Sequence, residues 1–232
     1  MELLTQEGYY FLLRWIHFLA GITWIGVLYY FNFIQTPFFG TELGGGARSA
    51  MMRGLVPNAL WWFRWGAMFT FLSGWLIVIS RMVEGAPGMS GYYALVLTGG
   101  AMGTLMWFNV WFVIWPIQKL GIANANQVAG GGEAIPEAAA RAPTAAAASR
   151  TNTLFSIPML FFMGSASHLT GLISSDKIGG YLGIAVLVIL AVELNAFYGT
   201  AATKKPLGSV SGTIWSGFIL AAVLYGLASA ML

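Results

Sequence analysis

Six stretches of this 232-residue chain are apolar on all sides over lengths that suit a bilayer. A helix crosses ~30 Å of hydrocarbon with ~20 largely apolar residues. The stretches at about 9–34, 60–83, 92–116, 153–174, 180–200 and 207–231 meet that requirement. None alternates as a membrane strand does, so the pattern predicts an all-α integral membrane bundle of six transmembrane helices in one domain. Between the first two spans, 35–59 carries Pro37, the run Gly44-Gly45-Gly46, Arg48, Arg53 and Pro57, and reads as a loop. Its second half, through Trp61 and Trp62, is expected along the interface, where Trp is favoured. The long inner loop 117–152 is rich in Ala and Gly around Pro136 and Pro143, and reads as partly disordered or a loose surface helix. No internal repeat is visible, so an inverted-repeat transporter gains no support.

Composition agrees with a membrane class. Hydrophobic residues form 58% of the chain and charged residues 8%, against roughly 25% charged in a soluble domain. The absence of Cys excludes a disulfide, a thiolate metal site and a covalently attached c-type haem within these residues. The net charge of +3 is scattered over loops and span ends with no basic stripe, so the expected partner is the lipid bilayer and not nucleic acid. The start, MELLTQEGYY, lacks the basic region of a signal peptide, and the first span is expected to be retained. Arg48, Arg53, Lys119, Arg141, Arg150, Lys204 and Lys205 fall on one side of the spans, against Arg81, Lys177 and Arg14 on the other. The positive-inside rule then puts both termini outside.

The candidate chemistry lies with the chain's two histidines, His17 in the first span and His168 in the fourth. An ionisable residue in hydrocarbon is costly and marks a functional site by default. At 1.5 Å per residue the imidazoles lie about 12 Å and about 9 Å from the outer ends of antiparallel spans, a shared depth. Gly21 follows His17 by one turn and Gly164 precedes His168 by one turn, so each glycine shares a face with its histidine. With Ala20, Ser165 and Gly171 they would leave room for a flat macrocycle. The expectation is one haem b with His17 and His168 as axial ligands and Arg14 on a propionate. The alternative makes both histidines interhelical hydrogen-bond donors and both glycines packing residues. A His/Met pair with Met163 is off the face of His168, and a zinc or copper site lacks a third ligand at that depth.

Other polar positions in the spans read mainly as structure. Glu193, near Asn195 and Tyr198, leaves a proton relay open beside pairing with Arg64 or a helix-end bond. Asn109 reads as interhelical glue and Gly99 with Gly103 as a packing pair. Trp24, on the His17 face, reads as core.

Three segments carry a likeness: LRWIHFLAGITWIGVLYYFNF at 12–33, NVWFVIWPIQK at 109–119 and SRTNTLFSIPMLFFMGSASH at 149–168. Through them the chain resembles the membrane domain of the urate hydroxylase (cytochrome-c-linked urate oxidase) family, over most of its length. The resemblance implies a bacterial inner (cytoplasmic) membrane location and a link to a cytochrome c. No CxxCH occurs in the 232 residues, so that cytochrome is expected as a separate periplasmic protein or a neighbouring membrane redox subunit. The resemblance transfers no catalytic set, and catalytic residues stay unassigned. The leading expectation is a membrane-integral b-type cytochrome-like electron-transfer protein. Its rivals are a haem-free accessory subunit of a larger complex, a urate-oxidising enzyme using a separate cytochrome c, and, resting on Glu193 and Arg64, a transporter.

Overall fold

A computed structural model describes residues 2–85, 90–169 and 177–232, and among these the chain is all-α. After a 3-10 turn at Glu2–Leu4, α1 (Gln6–Tyr29) starts on Thr5, whose hydroxyl accepts from the Gly8 amide. A widened π-helical turn, Tyr30–Gln35, carries the same rod into α2 (Thr36–Phe39). Next come α3 (Glu42–Arg53) and α4 (Leu55–Glu84). A second rod joins α5 (Ser90–Phe108), a π-helical turn at Asn109–Ile114 and α6 (Trp115–Ala129). Then follow α7 (Pro136–His168), α8 (Ile178–Tyr198), the short α9 (Ala201–Lys204), a 3-10 turn at Lys205–Gly208, and α10 (Val210–Met231).

Among the described residues, five helical rods are long and apolar enough to cross a membrane: Gln6–Phe39, Leu55–Glu84, Gly91–Ala129, Ile178–Tyr198 and Val210–Met231. The fourth stretch of the sequence reading is helical to His168, and its end at 170–174 lies outside the described residues. Here α7 differs from the five rods for a physical reason. It carries Thr151, Asn152, Thr153 and Ser156, all buried, so its polar groups face protein while the other rods turn many apolar side chains outward.

One connection departs from expectation, and a second resolves an open alternative. The segment 35–59 holds helix α3, begun by Thr41, whose hydroxyl accepts from the Gly44 amide at 3.1 Å. An N-cap of this kind satisfies an orphan donor and offsets part of the low helix propensity of three glycines. The connection 117–152 takes the helical one of its two expected forms, with only 130–135 between α6 and α7. Alanine is the strongest helix former, and Pro136 sits in the first turn of α7, where its missing N–H costs nothing.

In the packing, α1 lies along α4, while α7 runs through the middle of the bundle against α5, α6, α8 and α10. Glycines set the close approaches. A Cβ on Gly99 would stand 3.3 Å from the Met159 carbonyl oxygen and one on Gly103 3.4 Å from Met159 Sδ, so this pair seats α5 on α7. On α10, a Cβ on Gly217 would come within 2.8 Å of the Leu154 carbonyl oxygen. That carbonyl lies one turn before Pro158, which has no N–H to offer it.

Candidate functional site

His17 is half-buried and turned toward α4, with Nδ1 3.2 Å from Ser73 Oγ. The Ser73 hydroxyl donates its proton to the Phe69 carbonyl at 2.5 Å, so it is the acceptor for His17. With the Ser73 proton on that carbonyl, the contact suits the tautomer that carries its proton on Nδ1 and its lone pair on Nε2, a form a metal ligand can use. A hydrogen bond of this kind also orients the ring, as the outer-shell partners of metal-bound histidines do. The ring packs closely on α4, since a Cβ added to Gly74 would stand 2.9 Å from His17 Cε1. Gly21 faces Thr70 of the same helix, and its added Cβ would lie 3.9 Å from it. Trp24 is fully in the core, its backbone against Gly66.

His168 is the last residue of α7 and is exposed, as is Gly164, which has open space where a Cβ would go. Ser165 is buried and donates to its own helix at Phe162 O, 3.1 Å away. Arg14 is exposed on α1, and Gly171 lies outside the described residues. Two hydrogen bonds join the first rod to α7: Tyr29 Oη with Ser156 Oγ at 2.8 Å, and Asn32 Nδ2 to Ser149 Oγ at 2.8 Å. Rising numbers on one side meet falling numbers on the other, so the helices are antiparallel. From the Tyr29–Ser156 bond, His17 and His168 each lie twelve residues away in the same direction, about 18 Å along each axis. Their surroundings differ, however: His17 is bonded to α4, and no hydrogen bond joins the two histidines among the described residues. No group of three His, Cys, Asp or Glu gathers there either.

A second polar site lies inside the bundle, and its centre is α7. Asn109, the first residue of the second π-helical turn, donates from Nδ2 to Asn152 Oδ1 at 2.9 Å. Asn152 in turn donates to the Met106 carbonyl at 3.0 Å. Asn109 is 1% exposed and Asn152 0%. The Asn109 amide also lies in hydrogen-bonding reach of the Glu193 carboxyl on α8. Glu193 Oε2 and Asn109 Oδ1 are buried without a hydrogen-bond partner. Arg64 is not the companion of Glu193: its guanidinium stacks 3.3 Å over the Trp115 ring and its Nε donates to the Leu60 carbonyl. Asn109 is the interhelical link expected of it, but its partner Asn152 and the parallel link from Asn32 were not anticipated. The only signal for them was the polar run Ser149-Arg150-Thr151-Asn152 at the head of an apolar stretch.

Apolar rods of membrane-spanning length, glycine-mediated helix contacts and an amide network sealed inside the bundle define an all-α integral membrane domain. Residues 85–229 match the family described as Urate oxidase N-terminal, and the chain belongs to that family. The matched region takes in α7, α8, His168 and the Asn109–Asn152–Glu193 site, and leaves out α1 with His17. No curated protein and no solved structure matches the chain.

Proposed function

We propose that this urate hydroxylase-like membrane domain carries electrons in a bacterial inner membrane. In this reading there are six spans and both termini lie outside. His17 and His168 hold one haem b near the outer face, where a periplasmic cytochrome c or a neighbouring redox subunit exchanges electrons with it. The observation that carries the reading is the contact of His17 Nδ1 with Ser73 Oγ at 3.2 Å, which orients the ring and suits a tautomer with its lone pair on Nε2. The equal offset of both histidines from the Tyr29–Ser156 bond supports them as a pair, and the open space at Gly164 suits a flat group beside α7. When bound, haem would supply a one-electron couple. Ser73 orients the imidazole that would meet the iron, and Arg14, exposed and one turn from His17 along α1, would meet a propionate.

The absorption spectrum tests this directly. Protein purified from cells with ample haem should show a Soret band, and His17→Ala and His168→Ala should each lose most of it. A wild-type protein without the band, or two variants with undiminished haem content, would overturn the reading.

A second reading, a haem-free accessory subunit, draws on the contact between Gly74 and the His17 ring, which suits a packing histidine. It predicts purification in fixed stoichiometry with a membrane complex and no chromophore. Family membership also keeps urate oxidation as a third reading, in which urate reduces a supplied cytochrome c only when this protein is present.

A further inference from the structure

Between α4 and α6 two cations lean on one indole. The Arg64 guanidinium carbon lies 3.3 Å from the centre of the Trp115 ring, and Lys119 Nζ lies 5.6 Å from the centre of the same ring. Lys119 is exposed, as are Trp61, Trp62 and Trp65 on the adjoining stretch of α4. Trp65 meets Trp111 edge-on at 5.6 Å, so the indoles continue from one helix to the other. Acids are missing from this cluster. The helices α4 and α6 pack on α1, α3, α5 and α7, whose carboxylates with that of α4 itself are Glu7, Glu42, Glu84 and Glu137. Glu7 and Glu84 belong to the opposite end of the bundle, in the first turn of α1 and at the end of α4. Among the described residues no carboxylate forms an ion pair with Arg64 or Lys119.

The short stacking distance fixes what Arg64 can offer. At 3.3 Å its guanidinium must lie parallel to the ring, because an edge-on approach would push a nitrogen into the indole. A parallel stack leaves the N–H groups in the guanidinium plane, clear of the ring. Nε donates to the Leu60 carbonyl at 3.2 Å, and the other N–H groups have no partner among the described residues. Such a fork matches two oxygens of one phosphate, and a lysine beside it adds a point charge.

The surroundings select the kind of phosphate. Exposed tryptophans gather where a bilayer meets water, at the level of lipid headgroups, and basic pockets between membrane helices hold anionic headgroups there. A zwitterionic headgroup would bring its own ammonium to two like charges and no carboxylate. We propose that Arg64, Lys119 and Trp115 form a binding site for an anionic phospholipid, with the phosphate on the two cations and the acyl chains along the exposed indoles of α4. The site does not depend on the histidine reading.

Native mass spectrometry of the purified full chain tests this, with phosphatidylglycerol and phosphatidylcholine of identical acyl chains as the probes. The wild type should bind its first phosphatidylglycerol more tightly than phosphatidylcholine. Arg64→Gln and Lys119→Gln should each weaken phosphatidylglycerol binding about fivefold, the effect of one basic residue at an anionic surface. Arg64→Lys keeps the charge without the fork and should fall between wild type and Arg64→Gln. Arg141→Gln removes the same charge from an exposed position on α7 that makes no ring contact, and should leave binding unchanged. If Arg64→Gln fails to fold, Lys119→Gln decides the matter, because Lys119 is exposed and makes no hydrogen bond. Equal affinity for the two lipids, or an equal loss in Arg141→Gln, would overturn the proposal. So would displacement of the lipid by inorganic phosphate at the same concentration, which would assign the two cations to a free anion.

Discussion

Replacing Gly217 with leucine should produce the largest loss of stability of any single substitution at a helix contact in this bundle. Two helix backbones meet at that position without a side chain between them. A Cβ there would stand 2.8 Å from the Leu154 carbonyl oxygen and 2.7 Å from Ile157 Cδ1. The isoleucine tip can rotate, but the carbonyl is backbone and cannot. That carbonyl is also the one left without its helical donor by Pro158, so the Cα hydrogens of Gly217 lie where they can give it a weak C–H···O contact. Leucine would drive α10 off α7 and remove that contact. Overpacking costs about 1–3 kcal/mol where neighbours can yield, and with a rigid partner the top of that range, about 3 kcal/mol, is expected. Thermal melts in one detergent at one scan rate should show a clear fall in midpoint for Gly217→Leu, a smaller one for Gly217→Ala, and almost none for Gly226→Leu. Gly226 lies on the same helix with open space where its Cβ would go. Equal midpoints for the two leucine variants would contradict the packing described.

Asn152→Ala should follow closely, by a different mechanism. Asn152 accepts from Asn109 and donates to the Met106 carbonyl, so its loss strips partners from two groups at once. Interhelical hydrogen bonds in membranes are worth only about 0.6 kcal/mol on average. That average covers bonds whose partners find substitutes, and a fully buried pair has none to find. About 2 kcal/mol is therefore expected, from the cost of leaving buried polar groups unpaired. Asn109→Ala should cost less after Asn152→Ala than on its own, because the two share one bond. Unfolding midpoints of the two single variants and the double variant measure this, and simple additivity would mean that the network does not act as a unit.

The spans were legible because hydropathy reports on solvent, and solvent is what the five outer rods meet. The central helix was harder to delimit for the same reason. It is surrounded by protein, so Thr151, Asn152, Thr153 and Ser156 lower its hydropathy without exposing it to water. Its start at Pro136 was hidden by Pro143 and by an Ala-rich composition that reads equally as loose chain. For the site, a one-dimensional count of residues placed His17 and His168 at one depth, and the bond between Tyr29 and Ser156 gives them equal offsets. Depth is linear in sequence, but direction is not. That His17 turns to Ser73, or that Asn109 finds Asn152, depends on the rotation of each helix about its axis. The two π-helical turns alter that rotation, and no residue pattern announces them.

Those two turns bear on how the family can vary. A π-helical turn holds one residue more than an α-helical turn while the helix continues beyond it in the same direction. Taking one residue out of Tyr30–Gln35 or Asn109–Ile114 would therefore leave the faces above and below in phase. The same deletion in α4 or α8 would rotate everything downstream by about 100°. In the evolutionary record of this fold, single-residue gaps should gather at these two places and be rare elsewhere in the rods. The asparagines anchored there would be the first thing such a gap displaces.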